Sequence, residues 1–317
     1  MNNKTNFQET ELMYFYMINS TVQERELCNF EMKYLFNIVT DKKHFFSFHY
    51  IVPSRSAFIK YCISVMYSCS SLNELVEQII EDRLSYDNFK VRYLDLEDNG
   101  ISYEEKRKIE YLIGYNILGE AEMRKPEIVL GVVNVNGKWI LGELEINKNT
   151  WKDYNHKLFS YSNALNVRVA RSLVNIAAEN NMKLKLVDPC CGIGTVVIEA
   201  LSMGLNIKGY ELNPFIAENA QRNVEFFSFK NTIVNCDMHD TEEKFDAAIV
   251  DMPYGVFTPV TLKEQLDIIK TTRRLADKAV IITFENMEHY FEEAGFKVID
   301  RCMSNKGTFT RYITVCK

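Results

Sequence analysis

The sequence predicts two folds in one chain: an α/β fold with a largely parallel sheet in its second half, and a smaller α+β region in its first half. From about Asn163 onward, apolar runs of strand length alternate with amphipathic helical stretches, which is typical of a parallel sheet joined by right-handed crossovers. The last two predicted strands are separated by a short polar turn at residues 304–307, so they must be antiparallel. We therefore expect a parallel sheet that ends in an antiparallel hairpin.

In the second half, each predicted strand is a short apolar run, and each predicted helix repeats its apolar residues at helical spacing. The strands cover residues 184–188, 207–211, 232–236, 245–251, 279–284, 296–303 and 309–316. The helices cover residues 194–203, 214–227, 262–276 and 287–294. Up to the terminal hairpin, strands and helices thus alternate, except for the consecutive strands at residues 232–236 and 245–251.

The first half lacks this regular alternation. Strands are predicted at residues 14–19, 45–50, 58–64, 89–95, 128–135 and 139–146, and helices at 21–36, 72–82 and 103–118. The Asn136-Gly137 dipeptide between alternating apolar residues predicts a hairpin. Because residues 147–162 contain turn residues without a clear period, we expect a first domain over 1–85, a second over 86–147, a linker over 148–162 and the α/β domain over 163–317.

The composition excludes several classes of protein. The chain has 317 residues and a net charge of -6, so it is not a polybasic protein that binds nucleic acid through bulk charge. Its 8 cysteines include no C-x-x-C pair and its 5 histidines form no cluster, which predicts neither a disulfide scaffold nor a metal site. The amino terminus is polar and lacks the pattern of a signal peptide, which predicts a cytoplasmic protein. The sequence has no apolar run of about 20 residues, which predicts that the protein does not associate with a membrane.

A glycine-rich turn follows the first strand of the second half. Residues 188–195 read DPCCGIGT and lead into a predicted helix, and such a unit places backbone N–H groups and a helix N-terminus beside a ligand. A dinucleotide fingerprint would need a glycine where Val197 stands, so a pyrophosphate ligand is disfavoured. Glu211 ends the next strand, at a position suited to ribose hydroxyls. Taken alone, the turn also fits an ordinary tight connection between a strand and a helix.

The strand over residues 245–251 ends in a second motif, DMPYG at residues 251–255. An exocyclic base amine is a poor nucleophile because its lone pair is delocalised into the ring. A side-chain oxygen of Asp251 and the carbonyl of Pro253 can accept its two hydrogens, while Tyr254 stacks on a base turned out of its helix. The motif alone also fits a turn. Together with the glycine-rich turn at the same edge of one sheet, it indicates transfer of a methyl group to such an amine.

These motifs resemble those of the THUMP-domain RNA guanosine-N2 methyltransferases, which are class I enzymes that depend on S-adenosylmethionine. The resemblance is carried by residues 188–195, 209–211, 235–237 and 251–255, and it extends loosely from Phe89 to the end of the chain. It implies a Rossmann-like methyltransferase domain preceded by ferredoxin-like and THUMP-like parts that bind RNA. The family includes archaeal and eukaryotic enzymes that methylate a guanosine in the D-arm region of tRNA.

The resemblance also implies a role for individual residues. Asp251, Pro253 and Tyr254 are expected to be catalytic. The residues expected to bind S-adenosylmethionine, with S-adenosylhomocysteine as its product, are Asp188, Cys190, Gly192, Gly194, Glu211, Leu212, Asp237 and Met238. No metal is expected, the expected RNA is tRNA, and the expected state is a monomer.

One departure from the family motif leaves alternatives open. Met252 stands where the family often has a first proline, and related motifs also serve adenine N6 and cytosine N4 methylation. The alternatives are therefore a methyltransferase for an exocyclic amine in rRNA or DNA, and an RNA-binding protein with weak or no catalysis. Vicinal Cys190 and Cys191 are expected to be space-filling residues rather than a redox pair.

Overall fold

The structure, a computed structural model, describes residues 12–96, 100–161, 164–253, 260–306 and 309–317. The chain forms two compact units. The first unit contains residues 1–19, 40–53 and 59–147, and the second contains residues 20–39, 54–58 and 148–317. No helix within the described ranges is both long enough and apolar enough to cross a membrane.

Eight α-helices lie in the described part of the chain. They are α1 (Arg25–Phe36), α2 (Leu72–Glu81), α3 (Tyr103–Asn116), α4 (Val167–Ala178), α5 (Thr195–Ser202), α6 (Pro214–Phe226), α7 (Leu262–Leu275) and α8 (Glu288–Glu293). Helices α2 and α3 belong to the first unit and the other six to the second.

The first unit is built on one six-stranded sheet. Its strands are β1 (Tyr14–Ile18), β2 (His44–Ser47), β3 (Ile59–Cys69), β4 (Phe89–Tyr93), β5 (Ile128–Val135) and β6 (Lys138–Ile146), in the order β2-β1-β3-β6-β5-β4. Strands β4 and β5 are parallel and α3 connects them, while the other neighbours are antiparallel. Asn136 and Gly137 both have positive φ angles, so the predicted β5–β6 hairpin is confirmed.

The second unit is built on a seven-stranded sheet. Its strands are β7 (Lys185–Asp188), β8 (Asn206–Glu211), β9 (Ile233–Asn235), β10 (Phe245–Asp251), β11 (Ala276–Thr283), β12 (Val298–Lys306) and β13 (Phe309–Cys316). The order is β12-β13-β11-β10-β7-β8-β9, and β13 is antiparallel to both of its neighbours. The remaining pairs are parallel, which confirms the predicted parallel sheet with an antiparallel terminal hairpin.

Local sequence signals explain where the helices of this sheet begin. Asn213 accepts hydrogen bonds from the amides of Phe215 and Ile216, and Pro214 occupies the first turn of α6, where a missing N–H costs nothing. Thr261 and Glu264 form a reciprocal capping box at the start of α7. The cap of α6 places that helix directly after the carboxyl end of β8.

Several elements differ from the sequence prediction, among them β3, which ends at Cys69 instead of residue 64, and β12, which ends at Lys306 instead of residue 303. Helix α4 was not among the predicted helices, because its Arg171, Ser172 and Asn175 are buried and do not mark a solvent-facing side. Strand β11 begins at Ala276, directly after α7, whereas the prediction began it three residues later. The early part of β11 contains the charged residue Lys278, which precedes the apolar run that begins at Ala279. The Lys278 Nζ is buried and donates to the Ile176 and Ala177 carbonyls at the end of α4.

Segments from the first half of the chain complete the second unit. Helix α1 packs on α4, and the buried carboxylate of Glu31 accepts hydrogen bonds from Ser172 Oγ and Asn175 Nδ2, both at 2.7 Å. Arg55 Nε donates to Asn175 Oδ1 at 2.8 Å. The domain boundaries at residues 85, 147 and 162 stay a prediction, and the compact units are not continuous in sequence.

Candidate functional site

A cavity of about 870 Å³ opens at the carboxyl ends of β7, β8, β9 and β10, within the second unit. Ligands bind at this edge of open α/β sheets, because the strand order changes direction there and leaves a crevice. The predicted residues that line the cavity are Asp188, Cys190, Gly192, Glu211, Leu212, Asp237, Met238, Asp251 and Pro253. Two predicted residues are not in this set: Gly194 lies behind the cavity lining, and Tyr254 lies outside the described residues.

The glycine-rich turn is shaped by two left-handed residues. Gly192 has a φ of 53° and Gly194 a φ of 81°, and Gly194 is the N-cap of α5. The buried side chain of Asn223 donates to the Ile193 carbonyl at 3.1 Å and holds the turn from behind. The turn is therefore a rigid part of the cavity wall, and Gly194 supports its shape rather than lining the cavity.

We expect Gly194→Ala to destabilise the protein more than Gly204→Ala. Both glycines have positive φ angles, which cost a residue with a Cβ about 1–2 kcal/mol. A Cβ at Gly204 meets no atom within 4 Å, whereas one at Gly194 lies 2.9 Å from Ile233 Cδ1. Chemical unfolding of both variants measures the difference. Equal losses would show that the Ile233 side chain moves aside without cost.

The backbone amides of the turn are largely used within the protein. The Cys191 amide donates to the Tyr210 carbonyl at 2.9 Å, the Gly192 amide to Glu211 Oε2 at 3.0 Å, and the Gly194 amide to the Cys191 carbonyl at 2.8 Å. We expected these N–H groups to face a ligand, and for these three amides that expectation was wrong. Their internal bonds add a structural reason why the turn does not suit a pyrophosphate.

Glu211 connects the turn to the end of β8. Its Oε1 accepts from the Asn213 amide at 2.9 Å, while its Oε2 holds Gly192. Burial raises the pKa of the Glu211 carboxyl. Hydrogen bonds from the backbone amides of Asn213, Gly192 and Leu212 lower it and so partly oppose this rise. Since a carboxylate has about four lone-pair positions, Glu211 can accept further hydrogen bonds from a ligand in the cavity.

The third predicted acid, Asp237, follows β9 at the opposite side of the cavity from β10. Its Oδ1 accepts from the His239 amide at 2.9 Å and begins a short 3₁₀ helix, Met238–Asp240. The Met238 side chain is buried, and its sulfur atom lies 3.7 Å from Cys190 Sγ. Asp237 and Met238 thus present one polar and one apolar group to the same part of the cavity.

The turn cysteines are not poised for reaction. Burial raises the pKa of the Cys190 and Cys191 thiols, and the nearby carboxylates Asp188 and Glu211 raise both further. A thiol with a raised pKa is a poor nucleophile at neutral pH. Cys190 and Cys191 therefore act as small apolar residues in the cavity wall.

Asp188 and Asp251 lie at the ends of the adjacent strands β7 and β10. Burial raises the pKa of the Asp188 carboxyl well above its usual range, and the charge of Asp251 raises it further. Burial also raises the pKa of Asp251, to about 6, while the positive charge of Arg311 opposes this. The Oδ1 atom of Asp251 is buried and accepts no hydrogen bond from the described residues.

The backbone after Asp251 is held on both sides. The Met252 amide donates to the Ile282 carbonyl at 3.1 Å and continues the β10–β11 pairing by one residue. The Pro253 carbonyl accepts from Gln265 Nε2 on α7 at 3.2 Å, which leaves one of its two lone pairs. Pro253 can therefore still accept one hydrogen from a ligand.

The charges around the cavity have one sign. Its lining contains the carboxyl groups of six residues: Asp188, Glu211, Asp237, Asp251, Glu264 and Asp267. Among the described residues, the lining contains no Lys or Arg. Such a lining favours a cation and disfavours phosphate groups. The cavity is therefore suited to a positively charged ligand rather than to a dinucleotide.

Several lining residues were not identified from the sequence. They are Tyr161, Ala164, Leu165, Ile216, His239, Glu264, Asp267 and Ile268, among others. Glu264, Asp267 and Ile268 lie on the cavity side of α7 and follow the last residue of the 251–255 motif by 9, 12 and 13 residues. Their spacing, with the capping box at Thr261, is the signal that would have placed α7 beside the motif.

Comparisons with known proteins agree with this geometry. Residues 155–280 match the family described as the RMKL-like methyltransferase domain, UPF0020. The chain is 26% identical over 196 residues to the tRNA (guanine(10)-N2)-dimethyltransferase of Methanothermobacter thermautotrophicus, covering 60% of this chain and 58% of that protein. It is 26% identical over 217 residues to the enzyme of the same name from Pyrococcus abyssi, covering 62% and 64%.

The chain thus spans about three fifths of the length of these relatives. Among solved structures, TrmN from Thermus thermophilus is 14% identical, with a TM-score of 0.48, over 96% of this chain and 99% of that one. The matched residues 155–280 include the glycine-rich turn, Glu211, Asp237 and the 251–255 motif. This part of the chain is therefore similar to the RMKL-like methyltransferase domain family, UPF0020.

Proposed function

We propose that the protein transfers a methyl group from S-adenosylmethionine to the exocyclic N2 amine of a guanosine in tRNA. The observation that carries the proposal is Asp251, whose Oδ1 is buried beside the cavity and accepts no hydrogen bond from the described residues. A buried acceptor without a partner is costly unless a ligand supplies a donor. An amine N–H of a bound base is such a donor.

The cavity fits the proposed cofactor on three counts. Its volume of about 870 Å³ is ample for a molecule of this size. Its carboxylate lining favours a cationic sulfonium. Glu211 would accept hydrogen bonds from the ribose hydroxyls and Asp237 from the adenine amine, while residues 188–194 would hold the methionine part. Cys190, Leu212 and Met238 would supply apolar contacts.

When bound, S-adenosylmethionine supplies an electrophilic methyl group whose sulfur leaves with the bonding electron pair. The chain's own residues orient the acceptor. Asp251 and the Pro253 carbonyl accept the two hydrogens of the amine, which directs its lone pair towards the methyl carbon. Tyr254 is proposed to stack on the base. After the new C–N bond forms, the nitrogen loses one proton, and the Asp251 carboxylate is placed to take it.

The choice of tRNA rests on the two relatives that bear a tRNA methyltransferase name. The first unit would bind the RNA by its shape, as is usual for folded RNA. With a net charge of -6, we expect weak, strongly salt-dependent affinity for random RNA. We further propose that the protein is monomeric and cytoplasmic. An amine in rRNA or DNA, and an RNA-binding protein without catalysis, remain the alternatives.

The test is transfer of labelled methyl groups from S-adenosylmethionine to separate pools of tRNA, rRNA, DNA and protein. We expect label in tRNA alone, because the proposed recognition requires a folded tRNA. Label in rRNA or DNA would support the first alternative. Cofactor binding without transfer to any pool would support the second.

A further inference from the structure

A buried arginine lies on another strand of the sheet that carries the proposed catalytic carboxylate. Arg311 lies on β13 and is only 5% exposed. Its guanidinium carbon lies 5.6 Å from the centre of the Phe284 ring. Its Nε is buried and donates no hydrogen bond to the described residues. Burying a cation in this way is costly unless a negative charge lies nearby.

The strand register places Arg311 and Asp251 on the same face of the sheet. Asp251 pairs with Ile282 on β11, and Ile282 pairs with Ile313 on β13. Paired residues share a face, and so do residues two apart on one strand, so Arg311 shares the face of Ile313 and Asp251. Because β13 is antiparallel to β11, Arg311 lies further towards the edge where the cavity opens.

The charges around Asp251 make this cation important. The neighbouring strand β11 presents the apolar side chain of Ile282 beside it. The remaining titratable or charged groups that line the cavity are Tyr161, Asp188, Cys190, Glu211, Asp237, His239, Glu264 and Asp267. Burial favours protonation of Asp251, and none of these lining groups is a Lys or Arg that would oppose it. Among the described residues, Arg311 supplies the positive charge that acts in the opposite direction.

We propose that Arg311 is a positioning residue that keeps Asp251 ionised, so that the carboxylate can accept hydrogen bonds from the amine of the bound base. The role of the amine rests on the proposed function, whereas the coupling between the two side chains does not. Arg311 touches neither the cofactor nor the base in this account. Its effect passes through the charge state of Asp251.

A double-mutant cycle tests the coupling without measuring activity. The free energy of unfolding is measured for wild type, Arg311→Met, Asp251→Asn and the double variant, at about pH 8 and about pH 4.5. We expect a clear departure from additivity at the higher pH and its loss at the lower pH, where Asp251 is protonated in every form that contains it. Additive effects at both pH values would overturn the proposal.

Matched variants control for packing. Arg273 also lies over an aromatic ring, 5.3 Å from the centre of Phe296, and Arg273→Met should show no coupling to Asp251→Asn. Arg311→Lys keeps the positive charge, so its cycle with Asp251→Asn should depart from additivity much less than the cycle with Arg311→Met. Should Arg311→Met fail to fold, Arg311→Gln takes its place in the same cycle.

The activity measurement then connects the coupling to catalysis. In Arg311→Met, the acid limb of the pH profile for methyl transfer should move up by at least about 1 pH unit, and Arg311→Lys should reverse the shift. A raised KM for RNA with an unmoved acid limb would overturn the proposal, because it would indicate a substrate contact. Coupling in a protein that transfers no methyl group would support the positioning role and refute the proposed function.

Discussion

Replacing Asp251 by alanine should lower the rate of methyl transfer by about 10²–10⁴-fold while leaving S-adenosylmethionine binding unchanged. The change removes the carboxylate that we propose to hold the amine, and it leaves Glu211 and Asp237 in place. Single-turnover rates at saturating cofactor, together with equilibrium binding of S-adenosylhomocysteine, measure the two effects separately. Near-normal turnover would remove Asp251 from the mechanism.

Asp251→Asn is the matched control for the alanine variant. An amide oxygen can still accept a hydrogen from the amine, so this variant should retain more activity than the alanine variant. Wild-type activity should fall as the pH drops through about 6, where Asp251 becomes protonated, and the asparagine variant should lack this fall.

Arg171→Met should destabilise the second unit by about 3–5 kcal/mol. Arg171 Nη1 lies 2.6 Å from Glu199 Oε2, and the two side chains are 5% and 0% exposed. Its other nitrogens donate to the carbonyls of Arg55 and Ser54 at 3.0 and 2.7 Å. The substitution leaves the Glu199 carboxylate buried without its cation and also releases the segment over residues 54–58. Chemical unfolding monitored by circular dichroism measures the loss.

Lys33→Met is the control for Arg171→Met, because it removes an ion pair that is exposed instead of buried. Lys33 Nζ lies 2.6 Å from Asp300 Oδ2, but the lysine side chain is 45% exposed. Exposed pairs contribute at most about 1 kcal/mol, so this variant should be close to wild type. A loss in Arg171→Met no larger than in Lys33→Met would show that the buried pair does not hold the segment over residues 54–58 in place.

Much of the fold follows from patterns that lie close together in the sequence. The bounds of β10 and β13 agree with prediction because each strand is rich in apolar and β-branched residues and is preceded by polar residues. Helix α6 has an N-cap, a proline in its first turn and regular apolar spacing. By contrast, the packing of α1 on α4 depends on contacts between residues more than a hundred positions apart, such as Glu31 and Asn175. No local pattern encodes such a pair.

The candidate site, like the fold, was predictable from the sequence only in part. Asp188, Glu211, Asp237 and Asp251 all end strands or follow them directly, so a correct order of strands brings them to one edge. What the strand pattern could not provide is the use of the turn amides within the protein, since that depends on side-chain orientation. Nor could it identify Arg311, which is about 60 residues from Asp251 in sequence and reaches it only through the register of β11 and β13.

Nucleoside analysis of one tRNA substrate tests the central claim most directly. Unmodified tRNA is incubated with the wild-type protein and S-adenosylmethionine, digested to nucleosides and analysed by mass spectrometry, with the Asp251→Ala protein as the control. We predict N2-methylated guanosine with the wild-type protein and almost none with the control. Methylation of adenosine N6 or cytidine N4 instead, or of no nucleoside in any tRNA, would contradict the account.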